Sequence, residues 1–160
     1  VSKMYEIFLN FMAKIIRKHN GEVVKNIGDA LMFRFPNIDS VDSKAMKNIL
    51  ECCLSMIESH DELKNKLNAE NIDGLDYKIS VTYGSVKVAE STTSNISDIF
   101  GPTVNKCFKI NSFCPKNSIV IGSNLYEILK DFEEYEFAQY CSIEMKEKYD
   151  YSIFQVKRKK

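Results

Sequence analysis

Apolar residues recur along the chain at two different periods, and the switches between them set out the elements. Residues 3–19, KMYEIFLNFMAKIIRKH, bring Met4, Phe8, Phe11, Met12, Ile15 and Ile16 near one face at helical spacing. Lys14, Arg17, Lys18 and His19 crowd the last turns, where cations suit the helix dipole, and Asn20-Gly21 is a stop signal. Two short apolar runs follow, 22–26 and 31–35, with Ile27-Gly28-Asp29-Ala30 between them. Glycine supplies the tight bend, so the pattern predicts a β-hairpin that Pro36 ends. One long helix is predicted from about residue 40 to 67, capped by Ser40 or Asp42. Its buried stripe is Ala45, Ile49, Cys52, Cys53, Met56 and Ile57, and Asn71-Ile72-Asp73-Gly74 closes the connection.

Residues 77–90, YKISVTYGSVKVAE, alternate as a strand does, with Gly84 marking a kink, a bulge or the close approach of another backbone. Residues 91–97 are a polar loop. Residues 98–114 open as a loop and become a helix after Pro102. SIVIG, 118–122, is a short buried strand, 123–135 a capped helix, and 136–146 with 151–159 a terminal antiparallel pair. Helices and strands mix, with hairpins present, which favours an α+β fold. No repeat, linker or low-complexity tract interrupts the 160 residues, so a single domain is expected.

Charge changes this picture only by exclusion. Lys plus Arg number 22 and Asp plus Glu number 22, so there is no basic surplus of the kind that nucleic acid demands. No apolar run approaches the roughly 20 residues of a membrane span, and no signal peptide opens the chain. The five cysteines, an odd number without regular spacing, read as reduced, buried thiols in a cytoplasmic protein. With two histidines, there is little to build a Cys/His zinc site. The chain opens at Val1 rather than at methionine, so residues before Val1, or a gap, are expected.

Four segments carry candidate chemistry: HNGEVVKNIGDALMFRFP, YKISVTYGSV, DIFGPTVNKCFKI and IEMKEKYDYSIFQV. In this order and spacing they resemble the catalytic domain of class III nucleotidyl cyclases, the adenylate and guanylate cyclase family. The match runs from near His19 to Val156. It implies a ferredoxin-like βαββαβ core with added elements, and a head-to-tail homodimer whose active sites lie between protomers. The family's first strand, which carries its other metal-binding aspartate, has no counterpart in these residues. The domain would then be N-terminally incomplete.

The resemblance also implies roles. Asp29 matches a metal-binding aspartate, one ligand of two Mg²⁺ or Mn²⁺ ions, although an aspartate beside a turn glycine is also an ordinary solvated residue. Lys25 and Asp98 match the positions that select adenine: a lysine can donate to a ring nitrogen, and an aspartate can accept from the N6 amino group. Guanylate cyclases usually carry Glu and Cys or Ser there, so the pair argues for ATP over GTP. Asn105 matches the asparagine that orients the ribose. Lys109 stands where the family has a phosphate-stabilising arginine, and it lacks the bidentate guanidinium fork. Lys146 falls on the lysine that contacts the terminal phosphates, but Glu147 replaces the glycine that usually follows. Ile99 and Phe100 would pack around the adenine or under the loop.

The expected activity is conversion of ATP to 3′,5′-cyclic AMP and pyrophosphate, in signal transduction, with a regulatory or sensor domain elsewhere in the full-length protein. The alternative is a degenerate cyclase-homology domain that binds nucleotide, or only dimerises, without catalysis. Lys109 and Glu147 motivate it.

Overall fold

The protein is described by a computed structural model covering residues 2–90, 97–144 and 150–160. Two compact units account for the chain: residues 1–76 with 90–98, and residues 77–89 with 99–160.

In the first unit, helix α1 (Ser2–Lys18) buries Phe8, Met12, Ala13 and Ile16, while Met4, Phe11 and Ile15 flank that stripe half-buried. Asn20 takes a left-handed φ of 64°, and the Gly21 N–H donates back to the Ile16 carbonyl at 2.9 Å, so the stop signal works as expected. Gly21 is needed for space, because a Cβ there would sit 2.7 Å from Cγ2 of Ile16. The predicted hairpin is strand β1 (Glu22–Ile27) paired antiparallel with β2 (Ala30–Arg34).

The single helix expected over 40–67 is two. Helix α2 (Ser43–Glu58) is capped by Asp42, whose carboxylate accepts from the Ala45 N–H at 3.1 Å. Ser59 then leaves helical geometry, with φ −87° and ψ 9°, and α3 (His60–Asn68) starts at once. The Ser59 N–H still reaches the Ser55 carbonyl, and its own carbonyl accepts from Leu63, both at 3.0 Å. The hydrogen-bond column therefore bends with little loss, and neither proline nor glycine marks the place. The buried face of α2 also includes Met46, Leu50 and Leu54, whereas Ala45 and Ile57 lie at its edge.

The second unit is built on a four-stranded sheet in the order β3-β6-β8-β7. Its strands are β3 (Lys78–Val81), β6 (Ser118–Gly122), β7 (Tyr135–Glu144) and β8 (Asp150–Arg158). β3 and β6 are parallel, which requires a crossover, and α4 (Pro102–Asn111) lies within it. β8 pairs antiparallel with β7, as the terminal pattern predicted, and also with β6. Ile119, Val120 and Ile121 of β6 are buried, consistent with a strand covered on both faces. The strand expected over 77–90 is broken: residues 82–86 separate β3 from β4 (Lys87–Glu90), with a bend at Gly84. β4 pairs with β5 (Ser97–Phe100), a strand where a loop had been expected. Helix α5 (Ser123–Leu129) is shorter than its pattern and begins at Gly122 without a side-chain cap.

All five thiols are free, and Cys52, Cys53 and Cys114 are buried. Burial pushes the Cys52 thiol up to about 12, so it stays protonated and unreactive. Among the described residues, no helix is long and apolar enough to cross a membrane.

Candidate active site

The β1–β2 hairpin shows how a local irregularity aims a side chain. Val23 pairs with Phe33 and Lys25 with Met32, so Val24 is an extra residue, a β-bulge. In an unbroken strand Lys25 would share a face with Val23. Phe33 and Met32 are neighbours and face opposite ways, so the bulge turns Lys25 to the other side. There its Nζ donates to Oδ2 of Asp98, on β5, at 2.6 Å. The two groups lie 73 residues apart in sequence and are each about two-fifths exposed, 38% and 43%. Such an open pair contributes at most about 1 kcal/mol to stability. Its value lies in placing a strong donor and a strong acceptor side by side.

Asp29 sits in the two-residue turn of the same hairpin. Gly28 holds a φ of 58°, a conformation that glycine takes without penalty and that tight hairpin turns need. Asp29 is exposed and makes no hydrogen bond or ion pair with another described residue. Among the described residues no cluster of three His, Cys, Asp or Glu side chains could hold a metal unaided. One accessible carboxylate fits a hard ion such as Mg²⁺, which keeps several waters and takes substrate phosphates as ligands.

In the second unit, α4 carries Asn105 and Lys109, both exposed and four residues apart, hence on one side of the helix. The helix starts at Gly101, whose φ of 127° is open to glycine and costly for other residues. Pro102 follows at the first helical position, where its missing N–H does no harm. The opposite side of α4 faces β3. Cys107 Sγ donates to the Ser80 carbonyl at 3.3 Å, and Ser80 Oγ donates to the Cys107 carbonyl at 3.1 Å. Burial raises the Cys107 thiol, hydrogen bonds from Ser80 and Thr82 lower it, and burial dominates.

Gly84 makes room for this helix. A Cβ there would lie 2.5 Å from Oγ1 of Thr103, so the close approach read from the sequence is to a side chain rather than to backbone. Gly84→Ala is expected to destabilise the protein by about 1–3 kcal/mol through overpacking, seen as a lower urea midpoint with an unchanged slope.

The structure thus brings Lys25 and Asp98 into contact, puts Asp29 on the hairpin of Lys25, and sets Asn105 with Lys109 on one helix face. Ile99 is buried, whereas Phe100 is 49% exposed. Lys146 and Glu147 lie outside the described residues. The sequence reading passed over Thr103, Asn111, Ser80 and Thr82. For Thr103 and Asn111 a signal was present in the spacing Thr103-Cys107-Asn111, one stripe at i, i+4 and i+8 on a helix.

The α+β architecture is that of the nucleotidyl cyclase fold. It matches the solved guanylyl cyclase Cya2 with a TM-score of 0.82 at 21% identity, covering 97% of this chain and 79% of that one. It matches the adenylyl cyclase CyaB from P. aeruginosa with a TM-score of 0.80 at 22% identity, covering 99% and 83%. The family described as the adenylate and guanylate cyclase catalytic domain matches residues 1–158, and the chain belongs to that family. An adenylate cyclase of Streptomyces coelicolor is 24% identical over 131 residues, and one of Podospora anserina 23% identical over 167. The matches cover 81% and 91% of this chain but only 28% and 8% of those two proteins.

Proposed function

We propose that this nucleotidyl cyclase domain is an adenylate cyclase, making 3′,5′-cyclic AMP and pyrophosphate from ATP in a head-to-tail homodimer. The observation that carries the reading is the Lys25–Asp98 contact. An ammonium beside a carboxylate matches the adenine edge, where a ring nitrogen accepts and the N6 amino group donates. Guanine presents a carbonyl and the reverse polarity. The adenylate cyclase relatives support the same choice.

In the reaction, the ribose 3′-oxygen attacks the α-phosphorus, its proton leaves, and the bond to the β-phosphate oxygen breaks to release pyrophosphate. Two Mg²⁺ or Mn²⁺ ions, one bound through Asp29, would polarise the phosphoryl group and acidify the 3′-hydroxyl. Lys25 and Asp98 hold the base. Asn105 orients the ribose, and Lys109 presents positive charge to the α-phosphate from the same helix face. Lys146 contacts the terminal phosphates. Asp29 serves the site of one protomer, and the remaining groups come from the other. Signalling, a cytoplasmic location and a regulatory or sensor domain in the full-length protein belong to the same proposal. Purified protein given ATP or GTP with Mg²⁺ or Mn²⁺ tests it, with cyclic AMP as the expected product. Nucleotide binding without cyclic product under either metal would favour the second reading, a nucleotide-binding or dimerising module, which rests on Lys109 replacing arginine.

Lys109→Arg bears on that choice. A guanidinium can grip two phosphate oxygens at once, while an ammonium is a point charge. The substitution is expected to raise kcat at saturating ATP by roughly tenfold, equivalent to about 1.4 kcal/mol of transition-state stabilisation. An unchanged or lower kcat would mean that Lys109 does not face the reacting phosphate.

A further inference from the structure

Helix α4 is fastened to β3 and to the segment that follows it by a column of directional polar contacts. Thr103 Oγ1 donates to the Ser85 carbonyl at 2.8 Å. Thr82 Oγ1 donates to the Thr103 carbonyl at 2.9 Å. One turn on, Ser80 Oγ and Cys107 Sγ donate reciprocally to each other's carbonyls, at 3.1 and 3.3 Å. One turn further, Asn111 Nδ2 donates to Ser80 Oγ at 3.1 Å, so that hydroxyl both gives and receives. The participants on the helix are every fourth residue; facing them are Ser80 on β3, Thr82 just past its end, two residues on, and the Ser85 carbonyl.

Asn105 and Lys109 each lie two residues from a member of this column. Two residues are about 200° of helical rotation, so the column and the site residues occupy opposite sides of α4. Apolar contacts are non-directional and let a helix roll on a sheet, whereas a hydrogen bond weakens steeply as its angle opens. The helix also buries Ile110, which packs in one cluster with Cys114 just beyond its end, but apolar packing alone leaves the rotation of the helix loosely fixed. The carbonyls of Thr103 and Cys107 add a second constraint, because each is tied to a side chain on or just beyond β3.

We propose that Ser80 and Thr82 are positioning residues, which set the rotation of α4 and so aim Asn105 and Lys109 at the substrate. The proposal rests on the cyclase reading for its catalytic consequence, but not for the rotation itself. Displacements of about 1 Å at an oriented site can cost on the order of a hundredfold in rate.

The test compares the Ser80→Ala/Thr82→Val double variant with the conservative Ser80→Thr/Thr82→Ser. Lysine acetylation under native conditions, read by mass spectrometry, measures rotation without any need for activity. In the native protein Lys109 is exposed, while Lys106 is half-buried with its ammonium 5.3 Å from the centre of the Tyr151 ring. The double variant is expected to lower the Lys109 to Lys106 labelling ratio at least about threefold, and the conservative variant to restore it. In the cyclase assay the double variant should lose about 10- to 100-fold in kcat, with the KM for ATP within about threefold, again restored by the conservative pair. An unchanged labelling ratio overturns the proposal. So does a kcat loss that the conservative pair fails to restore. If the native protein makes no cyclic nucleotide, the functional reading fails, and the labelling ratio still decides the rotation.

Discussion

Asp29→Asn will lower cyclic AMP formation by at least about a hundredfold and leave the fold intact. Asparagine keeps the shape and the turn but removes the charge that, on the proposed reading, would hold a hard cation, and metal stabilisation of a phosphoryl transition state is worth several kcal/mol. Each 1.4 kcal/mol is tenfold in rate. The fold should not respond, because Asp29 is exposed and the turn depends on Gly28. Initial rates over a Mg²⁺ titration, with a thermal melt as the control, check both halves. Mixing resolves which protomer supplies the ligand. Equal amounts of Asp29→Asn and Asn105→Ala protomers should recover about a quarter of the native rate. Half of the dimers are then mixed, and each has one intact site of two. No recovery would place both residues in the same protomer's site.

The double substitution Lys25→Glu with Asp98→Cys should move the ratio of kcat/KM for ATP over GTP by at least about a hundredfold toward GTP. A site built to hydrogen-bond one base edge rejects the other because its own polar groups are left unpaired, and such rejection is large. Lys25→Glu alone should weaken both nucleotides, since it sets two carboxylates where an ion pair of 2.6 Å now stands. Competition between ATP and GTP at equal concentration gives the ratio directly. A preference for ATP that survives the double change would show that other groups read the base.

What the chain discloses in advance depends on how local the cause is. The hairpin at Gly28-Asp29 and the strand 118–122 were legible, because turn chemistry and a bounded apolar run act over a few residues. The bend at Ser59 was not, because serine is common inside helices and the apolar stripe runs on to Leu63 and Leu67. Strand β5 was not, because its four residues find their partner in β4, across a polar stretch. At the site, Lys25 and Asp98 could be paired from sequence only through the family resemblance, and no periodicity links residues 73 apart. The polar column behind α4 was readable on the helix as Thr103-Cys107-Asn111. Its partners on and just beyond β3 became visible only with the crossover in place.

On the proposed reading, the bulge at Val24 makes nucleotide choice a matter of pairing as well as identity. Were Val24 to take the place opposite Met32, Lys25, Asp29 and Asp98 would all still be present, and a comparison by residue type would score the site as complete. The strand would revert to plain alternation, and the lysine would turn to the face of Val23, away from its aspartate. One residue's place in the ladder would then separate a reader of adenine from a chain that only looks like one.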